Sequence, residues 1–376
     1  MGHNRLLLLS EATRLPIVKA KSHRVTLVDV ARESGFSTST VSIVLNNAPL
    51  SRHIAATTKE HITKVARRMG YHPDAFARSL RRRRSHTIGV LIFDISDPFC
   101  MEVLRGIEHA LYSTAYLPII MDADNRREQF ASYLDMLLER RVEGMVVVAN
   151  WLFSEVDPLS KIEENNIPTV VVARDLTSRS IPSVVVNNEA GGYAAMEHLY
   201  ELGHRNIAIL RGPEGLDDSA KRWQGIQRFA KAHQLPIRSK LTAQLPPDID
   251  PNCEFASGMK LTAGLIESGE DFSAILAFDD LTALGAIRAL WVAGRRVPED
   301  CSVIGFDDVL PAALTTPGLT TIHQPKRDMG AAATKLVLAM IESPSAAPTK
   351  AKLLQLMPPT LVERNSTARL NVKRGK

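Results

Sequence analysis

Cysteine is scarce and scattered: three residues in a chain of 376, Cys100, Cys253 and Cys301, with no CxxC pair among them. Neither a disulfide framework nor a zinc site can be read from that spacing, and a reducing cytosol is the compartment it suggests. Long apolar runs are missing too. The N-terminal stretch offers only Leu6 to Leu9, flanked by Arg5 and Ser10, shorter than a secretory apolar region and far short of a membrane span. Neither export nor membrane insertion is expected. Catalytic signatures are equally absent. No GxGxxG or Walker loop follows a strand-like run, and there is no GxSxG elbow, HExxH pair or Cys/His cluster at metal spacing. Enzyme, cofactor and metal therefore all drop out of the expected function.

The length is too great for one ordinary core and implies two or three domains, and 45% hydrophobic with 23% charged residues suits a globular chain. A net charge of +5 hides a strong asymmetry. Residues 1–86 hold 16 Lys/Arg against 5 Asp/Glu, while the remainder holds 30 against 36. One end is built for a polyanion. A membrane surface would require an apolar helix face beside the basic one, and none is visible, so nucleic acid is the expected partner.

Within that basic end the run VTLVDVARESGFSTSTVSIVLNN begins at Val25. Thr26 with Asp29 three residues later predicts a capped helix over Leu27 to Ser34, with Leu27, Val30 and Ala31 turned inward. Gly35 permits a sharp turn, Phe36 packs into the junction and Ser37 caps a second helix. There Val41, Val44 and Leu45 form the buried stripe. Thr38, Ser39, Ser42 and Ile43 are left for phosphates and base edges. A third helix is expected over about Thr57 to Met69, ended by Gly70, with Ile62, Val65, Ala66 and Met69 inside. Two short helices joined by a tight turn, with a third closing the core, form a helix-turn-helix.

The stretch Tyr71-His72-Pro73-Asp74-Ala75-Phe76-Ala77-Arg78-Ser79-Leu80 follows, and with the preceding helices it resembles the head and hinge of the lactose/galactose repressor family. The resemblance implies that residues 74–80 form a hinge helix in the minor groove, with Leu80 wedged between base steps. It extends the DNA-contacting set to Thr26, Thr40, Asn46, Tyr71, Ala77 and Arg81. Arg81 to Arg84 read otherwise as a solvated linker or a phosphate contact. Ala55 stands where members commonly place a capping Ser.

After Ser85 apolar strand-like runs alternate with helical stretches: Ile88 to Phe93, Leu117 to Met121, Gly144 to Ala149, Thr169 to Ala173, Val184 to Val186, Ile207 to Leu210, Ala274 to Phe278 and Ser302 to Phe306. Such alternation predicts parallel sheets with crossover helices. The family resemblance continues through DPF (97–99), RGIEHA (105–110), HLYELGHRNIAIL (198–210), RWQG (222–225), SVIGFDD (302–308) and LTTIHQP (319–325). The expected fold is thus a small all-α helix-turn-helix head joined by a hinge helix to an α/β core of two similar parallel-sheet subdomains, of the periplasmic binding protein type. Boundaries follow: an extension at 1–24, a head at 25–71, a hinge at 72–85 and an effector-binding and dimerisation region at 86–376. Its first subdomain would take 86–186 and 319–346, its second 187–318 and 347–376, with crossings near 187, 319 and 347.

Ligands of open sheets bind beyond the carboxyl ends of the strands. By resemblance Arg222 and Asp307 are the leading effector contacts, the guanidinium a fork of donors and the carboxylate an acceptor. Asp279 stands where many relatives have Asn. Phe99, Trp151 and Arg174 come next, and Cys253 occupies a position where relatives carry a stacking aromatic. The resemblance implies a cytoplasmic, nucleoid-associated transcription regulator, a repressor by expectation. It would bind a palindromic double-stranded operator as a homodimer, with a tetramer as the alternative, under control of a small effector, a carbohydrate in the first reading and a purine-like molecule in the second. The rival reading is a solute receptor with no DNA role.

Overall fold

The computed structural model describes residues 25–71, 84–150, 166–246, 254–343 and 353–370, and the chain divides into two compact units at Arg84/Ser85. The extension at 1–24, the hinge residues 72–83, Trp151, Cys253 and the expected crossing near 347 fall outside the described residues.

In the first unit, α1 (Leu27–Ser34), α2 (Thr38–Leu45) and α3 (Ala56–Arg68) surround a small core of Val30, Ala31, Val41, Ile62, Val65 and Ala66. Thr26 and Asp29 close a reciprocal capping box, each side chain meeting the other's backbone N–H. The turn into α2 is made by Gly35 at φ 73°, and Ser37 accepts from the Thr40 N–H to cap that helix. By contrast α3 starts at Ala55 with extended backbone but no side-chain cap. Serine there has the right backbone to bond a free N–H of the first turn, so Ala55→Ser is expected to stabilise the head by about 1 kcal/mol, read as a higher midpoint in thermal melts of the full chain.

The second unit contains two six-stranded sheets. In the first the order is β2-β1-β3-β4-β5-β11, all parallel: β1 (Thr87–Ile92), β2 (Leu117–Asp122), β3 (Gly144–Val148), β4 (Thr169–Val172), β5 (Ser183–Val186) and β11 (Leu354–Met357). The second runs β7-β6-β8-β9-β10-β12, with β6 (Ile207–Arg211), β7 (Thr242–Gln244), β8 (Ala274–Ala277), β9 (Ser302–Asp307) and β10 (Thr320–His323) parallel and β12 (Thr360–Val362) antiparallel. Central strands are buried on both faces and still sort their side chains by the period of two. Ile88, Val90 and Ile92 enter one cluster with α4 (Pro98–Leu111) and α11 (Lys326–Glu342), whereas Leu91 and Phe93 enter another with α5 (Arg127–Glu139). In the second sheet Ala208 and Leu210 pack with α9 (Asp280–Val292), and Ile207 and Ile209 with α6 (Asn188–Glu201) and α7 (Asp217–Ala232).

Paired glycines let the covering helices touch backbone to backbone. A Cβ on Gly106 of α4 would lie 2.0 Å from the Arg327 carbonyl oxygen of α11, and one on Gly330 2.1 Å from that of Val103. The same reciprocity joins α6 to α7 through Gly192 and Gly225, and α8 (Glu254–Glu267) to α9 through Gly258 and Gly285. Residues larger than glycine cannot fit at such crossings.

The chain leaves the first sheet after β5 (Ser183–Val186). The other crossings come later than 319 and 347. Strand β10 pairs with β9 in the second sheet before α11 returns to the first, and β11 joins the first sheet before β12 joins the second. Apolar alternation identifies these segments as strands but does not say whose edge they complete, which is why the sequence placed both junctions early.

Candidate functional site

On the head, the N-terminal turn of α2 presents Thr38 and Ser39 to solvent, while Thr40, Ser42, Ile43 and Asn46 are half-buried. Ile43 is half-buried and is not among the apolar side chains packed on the head core. Asn46 is held locally, its Nδ2 donating to the Ser42 carbonyl at 2.8 Å and hydroxyl at 3.2 Å. Thr26 is exposed but its hydroxyl donates to Asp29 at 2.6 Å, and Tyr71 packs against the head core. These two therefore have structural duties beside any DNA contact. Helix α2 carries no charged residue. Exposed Arg32, Arg52, Lys64 and Arg67 supply the basic character of the surrounding head. Ala77, Leu80 and Arg81 lie outside the described residues.

In the second unit, a cleft opens where the strands of both sheets end. Asp97 follows β1, Phe278 and Asp279 follow β8, Asp307 closes β9 and Arg222 projects from α7. Arg222 is buried and committed on three sides. Its Nε donates to Asn188 Oδ1 at 2.8 Å, Nη1 to the Phe278 carbonyl at 2.6 Å and Nη2 to Asp307 at 3.3 Å. Its guanidinium carbon lies 3.6 Å from the Phe306 ring centre and 4.6 Å from that of Phe278, an arrangement that pins the planar fork by stacking. Asn188 in turn donates to Asp218 at 2.7 Å and so orients both groups.

Asp307 accepts from Gln324 as well as Arg222, while Lys326 donates to its carbonyl oxygen. It adopts φ 111°, a conformation costly for a residue with a side chain. Burial raises its carboxyl pKa against the opposing pull of Arg222. Beside it Asp308, though partly buried, is held down to about 2 by hydrogen bonds from His323 and Arg364.

The structure thus brings together Arg222, Asp307, Asp279 and Phe99 of the expected effector contacts. Arg174 is half-buried, with its pKa lowered by burial while Asp217 and Asp218 pull it upward, but it does not line the cleft. Cleft residues the sequence reading passed over include Asp97, Asn150, Asp218, Glu254 and Gln324. Asp218 had a usable signal, since it precedes Arg222 by four residues and shares its helix face; Glu254 had none.

Asp97 caps α4 through the Phe99 N–H and accepts from Asn150 at 2.5 Å. Burial lifts its carboxyl to about 7 despite those bonds, and burial lifts Asp218 to about 7 despite Arg222. Both groups ionise near 3.8 when unburied, so across that interval the folded chain binds more protons than the unfolded one. Stability is expected to fall as pH rises from about 4 through 7. Asp218→Asn should flatten that slope in melts at several pH values; an unchanged slope would contradict the assignment.

Residues 26–74 match the family model described as bacterial regulatory proteins, lacI family, and residues 196–367 match that of the periplasmic binding protein-like domain. The chain is 34% identical over 346 residues to the HTH-type transcriptional repressor PurR of Vibrio atlanticus, an alignment spanning 92% of this chain and 99% of that protein. It is 32% identical over 317 residues to the ribose operon repressor of Halalkalibacterium halodurans, covering 84% and 90%. Among solved structures, a Lac repressor dimer bound to operator and the anti-inducer ONPF superposes with a TM-score of 0.79 at 27% identity, covering 92% of this chain and 99% of that one.

Proposed function

The chain belongs to the lacI family and is a DNA-binding transcriptional repressor rather than an enzyme, and from that premise we propose that it is a cytoplasmic homodimer whose operator affinity is set by a small molecule in the cleft. Each head places α2 in the major groove of one half of a two-fold operator, with Thr38, Ser39, Thr40, Ser42, Ile43 and Asn46 facing the bases and phosphates. Residues 72–85 act as the hinge between head and effector region. The observation that carries the effector reading is Arg222, stacked on Phe306 and bonded to Asn188, Phe278 and Asp307 at the mouth of the strands.

A ligand can shift the operator equilibrium only by binding the two subdomain arrangements unequally. Lys326 opens α11 on the first sheet and donates to the carbonyls of Asp307 and Asp308 at the end of a strand in the second, so the cleft has bonds that change with that arrangement. Dimerisation is supported by large apolar side chains left exposed on second-subdomain helices: Phe255, Trp291, Val292 and, on α10 (Leu310–Leu314), Leu310 and Leu314. No helix among the described residues is long and apolar enough to cross a membrane.

Selection from a random duplex pool at about 150 mM salt, where unspecific phosphate binding is weak, tests the reading. Enrichment of a two-fold symmetric site is the expected result. Failure to enrich one, with and without sugars and purines, would overturn it.

A further inference from the structure

Among the described residues six carboxyl groups line the cleft: Asp97, Asp218, Glu254, Asp279, Asp280 and Asp307. Against them stand Arg222 and, from behind Asp307, the Lys326 ammonium. Helix N-termini add about half a positive charge each, but those of α4 and α9 are already met by their own caps, Asp97 and Asp279. An excess of buried negative charge remains. Such an excess is costly unless protons or a bound cation neutralise it.

Hydrogen-bond capacity sorts these groups further. Asp280 is spent on structure, accepting from Thr321 at 2.5 Å and from the Val309 N–H at 2.8 Å, and Asp97 is satisfied by Phe99 and Asn150. Asp279 differs. One oxygen accepts from the Thr282 N–H at 2.7 Å, while the other is buried with no protein N–H or hydroxyl bonded to it. Its neighbour is Glu254, whose carboxyl is pushed well up by burial and by the charges of Asp279 and Asp97. Glu254 must carry a proton to satisfy that oxygen. The Nε–H of Arg222 is taken by Asn188, leaving one N–H on each Nη beyond its protein bonds. Among the described residues the cleft thus offers more carboxyl oxygens than N–H donors. Among the described residues no group of three His, Cys, Asp or Glu side chains could hold a metal ion.

Resting on the reading of this cleft as the effector site, we propose that the effector is an amino-substituted polyhydroxyl compound, bound with its ammonium between Glu254 and Asp279 and its hydroxyls on Asp218, Asp307 and Arg222. An ammonium brings three donors and a positive charge to the oxygen that no protein N–H or hydroxyl reaches, and takes the place of the Glu254 proton, which passes to solvent. A phosphate ester or carboxylate brings only acceptors and more negative charge. On this proposal sugar phosphates do not bind.

The test measures binding and operator release for a panel of hexoses and pentoses, each with its 2-amino and its terminal phosphate derivative, on the full-length protein. Amino derivatives should bind at least tenfold more tightly than their parents, phosphates should not bind, and Glu254→Gln should erase the amino advantage. Because a glutamine amide donates to Asp279 without having to hold a proton, Glu254→Gln should also raise the melting temperature of the protein without added effector, more at pH 9 than at pH 6; a lowered one counts against the proposal. A parent sugar or phosphate that binds as tightly as its amine, and loses that binding in Arg222→Ala, would overturn the charge preference and leave the cleft as the effector site. An amine response that survives both Arg222→Ala and Asp307→Asn would remove the cleft reading as well. A panel silent throughout, in protein with intact operator binding, overturns the amino-polyol assignment.

Discussion

Arg222→Ala is expected to abolish effector response, with affinity lowered by two orders of magnitude or more, while the head remains folded and binds operator. The head is a separate compact unit with its own core, so nothing in its packing depends on Arg222. The cost falls on the second unit and depends on pH. Removing the guanidinium leaves Asp307 buried beside Asp279 without its main counter-charge. Breaking a buried pair in this way typically costs about 3–5 kcal/mol when the remaining group stays ionised. Asp307 can avoid much of that by holding a proton, since burial already raises its pKa and Arg222 is the largest of the groups opposing the rise. The variant's folded state then binds a proton that its unfolded state releases, and its stability falls as pH climbs above the ordinary carboxylate range. Denaturant melts should show a small loss at pH 5 and a much larger one at pH 8. Equal losses at both would refute the pairing argument. Arg222→Lys should recover charge without function, because an ammonium can neither stack on Phe306 nor reach Asn188, Phe278 and Asp307 together.

Gly225→Ala should be the most damaging single-methyl change in the second subdomain. The new Cβ would lie 2.0 Å from the Glu189 carbonyl oxygen and 2.8 Å from the Tyr193 N, both backbone atoms of α6. No rotamer relieves such a clash, so α6 and α7 must part, and with them Asn188 and Arg222. Overpacking of this kind costs about 3 kcal/mol or more, which for a unit of this size lowers the melting temperature by about 10 °C. Gly264→Ala is the control. Its Cβ meets nothing within 4 Å and lies inside helix α8, so it should stabilise by about 0.5–1 kcal/mol. A comparable loss from Gly264→Ala would refute the contact argument, because helix propensity favours alanine at both sites.

The head was legible almost residue by residue, because its signals are local. Caps at Thr26 and Ser37, the turn at Gly35 and the inward spacing of Val30, Val41 and Ile62 each depend on neighbours within a few positions. The strands of the effector region were legible as apolar runs for the same reason. Which sheet β10 and β11 complete was not, since edge pairing is decided by partners more than a hundred residues away in the case of β11 and β5. In the cleft, Arg222, Asp279, Asp307 and Phe99 were reached through motifs. Glu254 and Asn150 are brought there by the meeting of two subdomains, and no short-range pattern marks them.

The late arrival of β11 and β12 has a consequence for synthesis on the ribosome. Until residues 354–357 emerge, β5 keeps an unpaired edge, and until 360–362 emerge so does β10. Helix α11 likewise seals the first sheet only after the whole second sheet down to β10 has been made. Neither half can close while the chain is still growing, so the nascent effector region waits with open strand edges that favour pairing with other chains. The head, complete by residue 71, is under no such constraint. Translation therefore releases a finished DNA-binding unit well before the part that regulates it.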